Sequence, residues 1–187
     1  MFRRRSFLKS SSLIAGGLIL PKLSFKSKKL NQKKLKIAVV GCGGRGTGAA
    51  VQALRADNNV ELVTLADAFK DRLETSLNAI KDEFEGEMEI NIKEKNKFVG
   101  FDAYKKAIDK SDVVILASPP GFRPAHFEYA INKNKHVFME KPVATDAHGV
   151  RQVLNSARKA KEKNLNVVVL LNDYKNYFTR KKHTKRQ

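Results

Sequence analysis

From residue 36 onward the chain alternates between two rhythms. Short, mostly apolar runs at 37–40, 60–66, 113–117, 136–139 and 166–171 read as strands buried on both faces, with a weaker one at Phe98-Val99. Between them apolar residues return at three- and four-residue spacing, which predicts helices. The first helix carries Ala49, Ala50, Ala53 and Leu54, small enough to approach a sheet closely. Others are predicted at 69–84, 102–108, 124–133 and 146–163. Asp146 stands where it can cap the last of these, with Val150, Val153 and Leu154 on one face. Residues 85–97 read as a polar connection, and Ser118-Pro119-Pro120-Gly121 breaks the chain after the fourth strand.

Strands alternating with helices predict an α/β fold with a doubly wound parallel sheet. Right-handed crossovers put every strand's C-terminal end on one edge, and ligands bind there where the strand order reverses. The first strand runs directly into Gly41-Cys42-Gly43-Gly44-Arg45-Gly46 and then a helix. A G-x-G-x-x-G in this position is the phosphate-binding turn of a Rossmann-type domain. Gly41 permits the tight turn, Gly43 lets backbone approach a pyrophosphate, and Gly46 lets helix meet strand. The helix N-terminus offers N–H groups and a partial positive charge. Gly41, Gly43, Gly44, Arg45 and Gly46 are therefore cofactor-binding candidates. Asp67 follows Gly46 by twenty-one residues, at the tip of the second strand, where a carboxylate accepts hydrogen bonds from the adenosine ribose. It would repel a 2′-phosphate, so NAD is expected as cofactor, while Lys70 and Arg72 nearby leave NADP open.

Charge changes the picture at the ends and not in the middle. The 187 residues carry a formal charge of +18. Residues 1–36 hold eleven Lys and Arg and no acid, and residues 171–187 hold six against one Asp, leaving +2 between. A nearly neutral folded part argues against a nucleic-acid partner. The lone Cys42 cannot form an internal disulfide and reads as a small residue in a tight turn. No metal-ligand spacing is present. Arg4-Arg5-Ser6-Phe7-Leu8-Lys9 followed by an apolar run at 13–20 resembles a twin-arginine export signal, although Arg3 precedes the pair. Residues 1–24 are expected to be that signal and 25–35 a basic linker. The protein is then expected to meet the export machinery and reach the periplasm, or to stay tethered to the inner membrane if the signal is not cleaved.

The strand at 136–139 feeds into Glu140-Lys141-Pro142. With "GCGGRGTGAA", "LADAFKDRL", "FVGFDAYKKAI", "SDVVILASPPGFRPAHFEYAI" and "HVFMEKPVATDAHGVRQVL", the chain resembles the Gfo/Idh/MocA oxidoreductases over residues 36–169. The resemblance implies NAD(P)-dependent hydride transfer at a carbinol carbon of a sugar or cyclitol. It implies that Lys141 is the catalytic lysine beside the nicotinamide and the substrate hydroxyl. An ammonium there can polarise or protonate oxygen while hydride leaves carbon. It also brings Glu140 to the cofactor and passes Ser118, Pro119 and Pro120 under the nicotinamide ribose, with Pro142 fixing the turn after Lys141. His126 matches a histidine that begins the following helix, where bonding to backbone competes with a cofactor role. His136 reads as structural and His148 as solvated.

The family continues into a second α+β domain that supplies the substrate pocket and the oligomer interface. Here "LLNDYKNYFTRKKHTKRQ" follows, without apolar periodicity. The expected organisation is a dinucleotide-binding domain at 36–171 and a basic tail at 172–187, left by a truncated or frame-shifted gene. Such a chain is expected to keep the cofactor half, to turn over nothing by itself and to form no oligomer. Two alternatives stand beside this reading: a non-catalytic nucleotide-binding fragment, and a relative that runs its redox cycle inside a glycosidase mechanism.

Overall fold

Six parallel strands form one sheet. The computed structural model describes residues 33–170. The signal segment, nearly all of the basic linker and the basic tail lie outside the described residues. The strands are β1 (Leu35–Val40), β2 (Val60–Asp67), β3 (Lys97–Val99), β4 (Val113–Leu116), β5 (His136–Glu140) and β6 (Val167–Leu170). The helices are α1 (Gly44–Ala56), α2 (Lys70–Glu83), α3 (Ala103–Asp109), α4 (Arg123–Asn132) and α5 (Ala147–Glu162). The order β3-β2-β1-β4-β5-β6 makes this a Rossmann-type doubly wound sheet, reversing between β1 and β4.

The apolar runs follow from helices on both faces. In β1, Ile37 and Val39 point into a core shared with α1 and α2, while Ala38 and Val40 point into a second core under α3, α4 and α5. Strand alternation therefore feeds two interiors at once. Phe127 and Ile131 of α4 are fully buried in the second, and Leu73, Leu77 and Ile80 of α2 in the first. Two expectations need correction. In α5 the buried residues are Gly149, Val153, Ser156 and Ala160, whereas Val150 and Leu154 are exposed. The helix is turned so that its small residues meet α4: a Cβ on Gly149 would stand 3.1 Å from Pro124. The connection at 85–97 is not only polar, because Ile90 and Ile92 close the bottom of the first core. Asp146 caps α5 as expected, its Oδ1 accepting the Gly149 N–H at 2.8 Å.

Candidate cofactor site

Gly41 and Gly46 are glycines because the fold leaves no room for anything else. Gly41 has φ +95°, and a Cβ there would lie 2.4 Å from the Ser118 nitrogen. A Cβ on Gly46 would lie 2.0 Å from the Gly41 carbonyl oxygen. These contacts bring the start of α1 against the ends of β1 and β4. Gly43 differs: it is the N-cap residue with an ordinary φ of −78°, and a Cβ on it would meet nothing within 4 Å. Neither conformation nor internal packing demands glycine at 43. A side chain there would fill only the space in front of the helix N-terminus. The first backbone bond of α1 is Thr47 N–H to the Gly43 carbonyl, so the N–H groups of Gly44, Arg45 and Gly46 precede the helix ladder. An open glycine before N–H groups that lie outside the helix ladder suits the close approach of a phosphate.

A cleft of about 410 Å³ opens beside this turn, at the switch point between β1 and β4. Gly41, Gly43, Asp67, Ser118 and Pro119 line it. Asp67 ends β2 with its carboxylate half-buried. One oxygen accepts the Cys42 N–H at 2.7 Å and the other the Phe69 N–H at 3.0 Å. The carboxylate is thus fixed at the mouth of the glycine turn, with lone pairs remaining for a ligand hydroxyl. Phe69, Phe101 and Phe122 also line the cleft and are 62%, 72% and 48% exposed, with the Phe101 and Phe122 rings 6.0 Å apart. Three exposed phenyl rings around one cleft form an apolar rim suited to a flat ring system. Cys42 is buried behind the turn, and burial, then the charge of Asp67, pushes its thiol up to about 12. It stays protonated and is no nucleophile.

The other wall is built from side chains. Ser118 is buried and shares a 2.9 Å hydrogen bond with Nδ1 of His126. His126 stacks on Tyr104 at 4.1 Å. Burial, then the neighbouring Arg123 charge, lowers the imidazole from its usual 6.5 to about 4. His126 is therefore neutral across the physiological range, and its ring bonds a side-chain hydroxyl rather than backbone. His136 is structural, its Nδ1 accepting the Asn166 N–H at 3.0 Å, and His148 is exposed. Glu140 is buried at the end of β5, and Nη2 of Arg45 donates to its two oxygens at 3.0 and 2.8 Å. Residues 95 apart in sequence thus tie the glycine turn to the Glu140-Lys141-Pro142 turn. Lys141 is exposed just beyond β5, and its bond to Pro142 is cis.

Arg123 was not singled out in the sequence. It opens α4, is 3% exposed, and donates to the main-chain carbonyls of Glu140 (2.6 Å), Pro142 and Ser118. The signal that could have found it is its place: a cation in the first turn opposes the helix dipole. Among the described residues no group of three His, Cys, Asp or Glu could hold a metal, and no helix is long and apolar enough to cross a membrane.

The profile of an oxidoreductase family with an NAD-binding Rossmann fold matches residues 35–168. No curated protein sequence matches the chain. Among solved structures, scyllo-inositol dehydrogenase from Lactobacillus casei with bound NAD(H) and scyllo-inositol is 22% identical, with a TM-score of 0.56 over 73% of this chain and 36% of that one. Myo-inositol 2-dehydrogenase from Lactobacillus plantarum is 25% identical, with a TM-score of 0.55 over 74% and 36%. The WlbA dehydrogenase from Chromobacterium violaceum, in complex with NADH and UDP-GlcNAcA, is 21% identical, with a TM-score of 0.57 over 77% and 37%. The chain therefore spans little more than a third of the length of these proteins.

Proposed function

The chain belongs to the Gfo/Idh/MocA oxidoreductase family, whose NAD-binding domain it carries, and on that premise we propose that it serves hydride transfer at a carbinol carbon of a sugar- or cyclitol-like substrate. The observation that carries the cofactor half of this reading is Gly43, a glycine that the fold itself does not require. The N–H groups of Gly44, Arg45 and Gly46 bind the pyrophosphate. Asp67 accepts from the adenosine ribose, and the Phe69, Phe101 and Phe122 rim receives the adenine. Ser118 and Pro119 carry the nicotinamide ribose, and Glu140 anchors the turn that presents Lys141. Bound NAD supplies the hydride acceptor. Lys141 holds the proton at the substrate's hydroxyl oxygen through its Nζ. Positioning the substrate carbon in a dry site is worth about 7–11 kcal/mol of barrier, so the rate depends on how the substrate is held as well as on Lys141.

The likeness to inositol dehydrogenases, and to the WlbA dehydrogenase in complex with UDP-GlcNAcA, supports the substrate class. The test is calorimetric titration with NADH, followed by absorbance at the reduced-nicotinamide band over a panel of cyclitols, sugars and sugar acids. NADH binding without turnover would favour the nucleotide-binding alternative. Turnover abolished by Lys141→Ala would establish catalysis by this chain alone. The Arg4-Arg5 segment supports export by the twin-arginine route; the protein should fail to reach the periplasm when both arginines become Lys, and unchanged fractionation would refute that route.

A further inference from the structure

We propose that Arg123 is the positioning residue for Lys141: its guanidinium grips the main chain on both sides of that lysine and ties it to the turn after β4. The inference rests on the assignment of Lys141 above. Its physical basis is a cation in a place where a cation is costly. Arg123 is almost completely buried, and burial lowers its pKa against the compensating charge of Glu140. It also sits in the first turn of α4, at the positive end of the helix dipole. Among the described residues its hydrogen bonds go to carbonyls and not to a carboxylate, and the Glu140 side chain is held by Arg45. An apolar residue would fill the same volume without either cost.

What the guanidinium does there is specific. Nη1 donates to the carbonyls of Glu140 and Pro142, the residues immediately before and after Lys141. Nη2 donates to the carbonyl of Ser118, at the end of the neighbouring strand. Ser118 is held in turn by His126, one helical turn beyond Arg123 on α4. A single rigid fork therefore sets the turn that presents Lys141 relative to the turn expected under the nicotinamide ribose. Lysine could not replace it, because one ammonium on a flexible stem lacks the planar geometry that spans both turns. The Arg45–Glu140 pair ties the same turn to the glycine turn. The two turns are then placed by side chains and not by the local backbone.

The test uses the full chain with Arg123→Lys and Arg123→Leu, each first shown to melt cooperatively. Arg123→Lys keeps charge and stem and so preserves the fold where Leu fails. Saturating NADH is confirmed by nicotinamide fluorescence. The rate at which an amine-specific acylating reagent modifies Lys141 is then read by peptide mass spectrometry, with exposed Lys161 on α5 as internal reference. In the parent, NADH should slow Lys141 modification at least fivefold, leaving Lys161 unaffected. In the folded variants, with NADH still bound, that protection should fall below twofold. Variants that melt earlier yet retain full protection would show that Arg123 merely stabilises the domain, and would overturn the proposal. A parent in which NADH gives no protection would instead remove Lys141 from the cofactor, leaving the clamp nothing to position.

Discussion

The two walls of the cleft are built by opposite means. At residues 41–46 the chain removes side chains, so that backbone can lie against backbone and N–H groups can face outward. At residues 118–142 it inserts buried polar ones, Ser118, Arg123, His126 and Glu140, which hold two turns in place through hydrogen bonds. The first wall is rigid because nothing larger fits at Gly41 or Gly46. The second is rigid only while its polar groups stay satisfied. A wall of the first kind resists solution conditions and fails on substitution; a wall of the second kind responds to protonation as well.

The largest effect should come from Gly46→Ala. Its new Cβ would lie 2.0 Å from a backbone oxygen that no rotamer can move. Destabilisation on the order of 4 kcal/mol or more is expected, read by denaturant unfolding. A loss below about 1 kcal/mol would show that α1 can lift off the strand ends.

Acid should attack the other wall. The folded-state pKa of His126 is about 4 against 6.5 unfolded, so the unfolded chain takes up the proton first. This contribution is fully present above pH 6.5 and is lost as pH falls toward 4, by about 3 kcal/mol. Urea midpoints measured across that window should decline in the parent and less steeply in His126→Gln. Parallel declines would mean that His126 is not the group responsible.

Asp67→Ala should weaken NADH binding by about 1.5–3 kcal/mol, the worth of a charge-assisted hydrogen bond, and narrow the preference over NADPH. Equal affinity of the parent for both cofactors would take the ribose role from Asp67. The smallest change, Gly43→Ala, separates ligand from fold. Stability should move by less than about 0.5 kcal/mol, while NADH affinity drops roughly tenfold, about 1.4 kcal/mol. Unchanged affinity would mean that the phosphate does not approach there.

The difference between the walls also explains what could be read in advance. A backbone constraint falls on one residue type at fixed spacing, so the glycine turn and Asp67 stand out in the sequence. Strand runs such as 113–116 were equally plain, because burial on two faces leaves no polar position. Arg123 and the Arg45–Glu140 pair depend on loops that meet only after folding, 95 residues apart in the latter case. The helix-dipole position hints that Arg123 is unusual, but nothing local says which carbonyls or carboxylates these side chains will meet. The buried face of α5 is hidden for a related reason: Val150 and Leu154 are the more apolar residues, yet the helix buries Gly149, Val153 and Ala160, with Gly149 close against Pro124. Ile90 and Ile92 sat in a charged context that hid their burial.

The reversal of strand order between β1 and β4 has a kinetic side. Every other strand pairing joins neighbours in sequence, but this seam joins Ile37 to Val113, and the Lys36–Asp112 bond beside it closes a span of 76 residues. Loop-closure entropy makes that pairing the slow one. The cleft lies on the same seam, so no part of the chain can offer it before the two halves have met. A ligand held there adds its binding free energy to the joined state alone. Occupancy should therefore act as a latch on unfolding, lengthening the lifetime of the closed seam without hastening its formation.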